Sequence, residues 1–71
     1  MEVYKNINGR SNVKGFELSE TAIIIWFEDG SKYRYSGATA GMVNVNQMKL
    51  LAVSGHGLNG FINKNVKKLY D

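Results

Sequence analysis

At 71 residues the chain has room for one small domain, which buries only about 60% of the surface its unfolded form exposes. It contains no Cys, which excludes disulfide staples, thiolate metal sites and cysteine nucleophiles. A hydrophobic content of 44% is too high for a disordered chain, and a formal net charge of +3 permits a polyanionic partner without requiring one.

Further absences narrow the class. There is no Pro, which fits a compact domain of regular elements. The first residues, Met1 to Asn6, have no basic segment followed by an apolar run, so a secretory leader is not expected. Ala22 to Phe27 is the longest apolar stretch, far short of the ~20 residues a membrane helix needs. The expectation is a cytoplasmic protein with no membrane partner.

In chain order, Val3 to Ile7 has strand character and Asn8-Gly9 is a turn signal, because both residues accept positive φ. Asn12 to Leu18 reads as a second extended segment, with Gly15 allowing a bulge or a close backbone approach. Ser19-Glu20 reads as the next turn. Thr21 to Phe27, rich in β-branched and aromatic residues, is the clearest strand.

The turn that follows admits two registers. A two-residue Asp29-Gly30 loop sets Trp26 opposite Tyr33 and Ile24 opposite Tyr35. A three-residue Glu28-Asp29-Gly30 loop with Gly30 left-handed sets Ile25 opposite Tyr33 and Ile23 opposite Tyr35. The second is preferred, since it gathers Ile23, Ile25, Phe27, Tyr33 and Tyr35 on one apolar face. It leaves Trp26 beside Lys32 and Ile24 beside Arg34 on the other face.

Beyond Ser36-Gly37, Thr39 is the expected N-cap of a helix over Ala40 to Val53. Val45, Met48, Leu51 and Ala52 form one apolar sector; Val43, Leu50 and Val53 form another. Packing of both sectors within the domain is favoured over a partner on the second. Ser54-Gly55-His56-Gly57 breaks the helix. Leu58, Phe61, Ile62, Val66 and Leu69 then recur at helical spacing, with Asn59 as the expected cap. Lys64, Lys67 and Lys68 fall on one flank of this second helix, and Asn59, Asn63 and Tyr70 on the other. The fold class is therefore α+β: a small antiparallel meander of three to four strands, followed by two helices packed on one face.

Several short motifs recur in order: Ser11-Asn12-Val13, Gly15-Phe16, Asp29-Gly30-Ser31 leading into Tyr33-Arg34-Tyr35, Met48 to Ala52, Gly57 to Asn63, then Val66 and Tyr70. In this order and spacing the chain resembles the KTSC family. That family is a short domain at the C-terminus of some lysyl-tRNA synthetases, and also a stand-alone bacterial and phage protein. The resemblance covers most of the chain from Ile7 onward, as one domain over residues 1–71. It implies a structural motif at Tyr33, Tyr35, Phe61 and Asn63, and its synthetase context implies RNA. Family members tend to be polar where this chain has Ile24 and Trp26, so one sheet face is unusually apolar here.

Catalysis finds little support. His56 is the only histidine, Ser54 two residues away has no orienting carboxylate, and Glu17, Glu20 and Glu28 flank turns. No metal or cofactor is implied, and no enzyme is expected. Gly55-His56-Gly57 before a helix resembles a phosphate cradle only weakly, and a glycine hinge is the simpler reading. Two functions remain. One is a non-catalytic module for RNA or single-stranded nucleic acid, with Trp26 stacking on bases beside Lys32, Arg34, Lys64, Lys67 and Lys68. The other is a protein-interaction or homodimerisation module built on Ile24, Val43 and Leu50, where Trp26 belongs to a contact or lies under the N-terminal strand.

Overall fold

A computed structural model describes all residues, 1–71. Four strands form one antiparallel sheet in sequence order: β1 (Glu2–Val3), β2 (Val13–Leu18), β3 (Ala22–Phe27) and β4 (Lys32–Ser36). A short helix α1 (Gly37–Ala40), the main helix α2 (Met42–Ser54) and a last helix α3 (Leu58–Phe61) follow. A π-helical stretch, Ile62–Val66, continues α3. This is the α+β meander that the strand and turn signals predict, with the helices on one face of the sheet.

The β3–β4 register follows the three-residue turn. Ile25 pairs with Tyr33, Ile23 with Tyr35, Trp26 with Lys32 and Ile24 with Arg34. Gly30 has φ of 90°, and its N–H donates to Phe27 O. Asp29 accepts from both the backbone N–H and the hydroxyl of Ser31, closing the turn. Ile23 and Ile25 are fully buried, with Tyr35 beside them. Phe16 from β2 and Val45, Met48, Ala52, Leu58, Ile62 and Val66 from the helices complete the core.

Four local expectations are corrected. The first strand stops at Val3 rather than Ile7, because Asn6 turns to a φ of 50° and its side chain bonds Ser11 through both its oxygen and its nitrogen. The helix expected from Ala40 is interrupted at Gly41, whose φ of 86° and ψ of 139° no helix accommodates. Gly41, not Thr39, precedes α2, and the Thr39 hydroxyl turns to Asp71 instead. Asn59 lies inside α3, since left-handed Gly57 starts that helix one residue earlier than the cap assignment requires. Finally, the second apolar sector of α2 is not packed: Val43 is 85% exposed, Leu50 68% and Val53 56%. The single sheet is already covered by the opposite side of α2, which leaves no layer for this one.

Two glycines set how the helices meet the N-terminal segment. A Cβ on Gly15 meets Glu2 O at 2.7 Å, so its bareness lets β1 approach β2 where the register shifts between Val13 and Gly15. Gly55 ends α2 at φ of 78°, and a Cβ there meets Lys5 Cβ at 2.5 Å. Gly57 is also left-handed, but its nearest neighbour is a Leu51 methyl carbon at 3.7 Å. Gly57→Ala should therefore cost only the left-handed strain, about 1–2 kcal/mol. Gly55→Ala should cost clearly more, because the Lys5 segment must also move. Thermal denaturation of the two variants side by side checks the ranking.

Candidate nucleic-acid interface

The two faces of β4 lead to two different surfaces. On the outer face, away from the helices, the row Val3, Gly15, Trp26, Lys32 runs across all four strands. The next row carries Glu17, Ile24 and Arg34. Trp26 and Ile24 are half-buried, and Lys32 Nζ stands 5.7 Å from the Trp26 ring centroid, within cation–π range. The N-terminal strand joins the sheet at its edge rather than lying across Trp26.

Arg34 is not a free cation. Its guanidinium is ion-paired to the Asp71 carboxylate, the one salt bridge in the molecule. Residues 70 and 71 clasp the β4 edge. Tyr70 lies against Tyr33 and Tyr35, on the helix side, with ring centroids 4.7 and 6.3 Å away. The Asp71 N–H donates to Arg34 O. The Asp71 carboxylate accepts from the hydroxyls of Ser36 and Thr39, each at 2.7 Å. Those two hydroxyls, then Arg34, hold the Asp71 carboxyl below its usual value.

On the helix side, Tyr33, Tyr35, Tyr70 and Phe27 form an aromatic cluster, with Phe27 edge-on to Tyr33 at 5.8 Å. Burial first, then the neighbouring phenols of Tyr33 and Tyr70, push the Tyr35 hydroxyl above its ordinary value, so it stays a neutral donor. Tyr35 is 2% exposed and belongs to the core; Tyr33 is half-buried and Tyr70 exposed. A groove of about 350 Å³ opens over them, walled by Asn63, Lys67 and Lys68. It adjoins a wider depression of about 590 Å³ bounded by Asn12, Glu28, Asp29, Asn59 and Asn63.

The residues singled out in the sequence are thus divided between surfaces. Lys67 and Lys68 join the tyrosines; Lys64 is exposed but does not line the groove. Trp26 and Lys32 stay together on the outer face with Ile24, and Arg34 is held by Asp71. Val43 and Leu50 lie on the exposed side of α2, and Phe61 packs against the core. Asn63 lines both helix-side depressions. Sequence reasoning missed Asn59 as a wall residue, having assigned it as a cap. Its place four residues before Asn63 on one helix flank was the available signal.

No helix is long and apolar enough to cross a membrane. Comparison with known proteins returns no matching family model, no matching curated protein and no matching solved structure.

The Asp71 clasp makes acid stability testable. A depressed folded pKa gives stabilisation that is fully present above the unfolded value, near 3.8, and is lost as pH falls through the folded value. Asp71→Asn should lower the urea midpoint near neutral pH. The gap from the wild type should then close as pH drops below about 4.

Proposed function

We propose that the protein is a non-catalytic module that binds single-stranded nucleic acid, RNA first among candidates, in the groove over Tyr33 and Tyr70. The observation that carries this reading is that Lys67 and Lys68, neither of them ion-paired, wall the same groove as two accessible phenol rings. Aromatic faces stack on any base, while adjacent cations neutralise phosphates. Asn63 adds an amide that can donate to and accept from base edges. The resemblance to the KTSC family, which rests on the sequence motifs, gives the preference for RNA. The Trp26–Lys32 pair on the outer face has the same chemistry on a smaller scale. Its lysine is already placed on its own tryptophan, and Arg34 beside it is neutralised.

The experiment is fluorescence anisotropy with single-stranded RNA and DNA at several salt concentrations. Replacing Lys67 and Lys68 by Ala should lower the magnitude of the log-affinity against log-salt slope by about two, one per lost phosphate contact. Tyr70→Ala should cost about 1–3 kcal/mol of binding if its ring stacks on a base. Lys32→Ala and Trp26→Ala should change affinity little, with circular dichroism confirming each fold. If neither RNA nor DNA binds at low salt, the reading is wrong.

A second reading has its own observation. Val43, Leu50 and Val53 form an exposed apolar stripe on α2, as a protein-contact surface does. Light scattering of the wild type and of Leu50→Lys over a wide concentration range tests whether that stripe joins two copies.

A further inference from the structure

We infer, on the basis of the groove reading above, that the binding site continues past the tyrosines to a second subsite at Arg10 and His56. Its occupant is then an extended single strand rather than a mononucleotide. Three depressions share walls in series. Phe27, Tyr33 and Asn63 border both the lysine groove and the wider depression next to it. Asn59 borders that depression and a third, of about 180 Å³, which holds Arg10 and His56.

The chemistry along this trough suits a polyanion with aromatic faces. Cations stand at its two ends, Lys67 and Lys68 at one and Arg10 at the other. Arg10 is exposed and has no carboxylate partner. Between them, the side-chain amides of Asn59 and Asn63 make no hydrogen bond within the chain. Asn8 Nδ2 donates to His56 Nδ1 at 3.0 Å, which puts the proton of the neutral ring on Nε2 and leaves that atom a donor. Glu28 and Asp29 line the middle section. They repel phosphates there, so bases face them, and a carboxylate accepts from the exocyclic amino group of a base. The strand thus lays phosphates at the ends and base edges in the middle.

The dimensions agree. Asn59 to Lys67 spans roughly 12 Å at a helical rise of 1.5 Å per residue. A stacked strand advances about 3.4 Å per nucleotide, so this stretch holds three or four nucleotides, and Arg10 lies beyond it. The longest dimension of the molecule, 30 Å, limits the footprint to about nine nucleotides.

The test compares a trinucleotide with an octanucleotide of single-stranded RNA against the wild type, Arg10→Ala and the Lys67→Ala/Lys68→Ala double variant. Arg10→Ala should weaken the octamer roughly tenfold and lower its salt slope by about one, while leaving the trimer unchanged. The lysine double variant should weaken both lengths. In an NMR titration the Asn59 side-chain amide and the His56 ring should shift with the octamer. An Arg10→Ala protein with unaltered octamer affinity and slope, beside a weakened lysine variant, confines the site to the tyrosine groove and overturns the second subsite alone. A wild type that binds no RNA overturns both readings. Equal binding of an acidic peptide, with no dependence on RNA length, overturns the extended-strand assignment.

Discussion

The Glu28–Gly30 turn sets β4 against β3, and the rest of the molecule depends on that one register. Side chains alternate across a strand, so a slip of one residue exchanges the faces. In the observed register Ile23 and Ile25 meet Tyr35 and Tyr33 beneath the helices, while Trp26 and Ile24 meet Lys32 and Arg34 on the outside. Left-handed Gly30 and the Asp29–Ser31 hydrogen bonds hold it. Burial adds to this, since the slipped alternative puts Lys32 and Arg34 against the core at a cost no partner there offsets.

With the register set, the tyrosines become a hinge between core and surface. Tyr35 is sealed, Tyr33 is half-covered, and Tyr70 closes over both from beyond the last helix. The next residue, Asp71, passes round the strand edge and gathers Arg34, Ser36 and Thr39. This clasp reorganises the charge. It takes one cation out of the outer face and leaves Lys67 and Lys68 unpaired on the helix side, so the free positive charge and the accessible tyrosines coincide.

The helix side is open because the last helix is short and wide. Its α-helical turn passes into a π-helical stretch at Ile62, which still buries Ile62 and Val66 four residues apart. Asn59 and Asn63, also four apart, therefore share the opposite flank and look toward the hairpin tip. The hairpin contributes Phe27, Glu28 and Asp29 to the same trough. One wall is helix and the other is turn, so the trough is a property of how the two meet.

Much of this was legible in the chain itself. Short-range chemistry carried it: the period-two run from Ala22 to Phe27, the Asp-Gly turn, and the buried positions Val45, Met48 and Ala52. These follow from alternation, turn dihedrals and helical spacing, which neighbouring residues largely determine. The break at Gly41 was harder to see, since a lone glycine inside a helical pattern is usually tolerated. The site depended on contacts between residues far apart. Arg34 meets Asp71 across 37 positions, and Asn8 meets His56 across 48. No local pattern records such a meeting, so pairing of charge and exposure of Val43 and Leu50 were decided only when the layers packed. The sequence by itself determined the strands, their turns and one buried face. The tertiary structure decided which cations stay free and which rings they stand beside, because one small core can cover only one side of α2 and one side of the sheet.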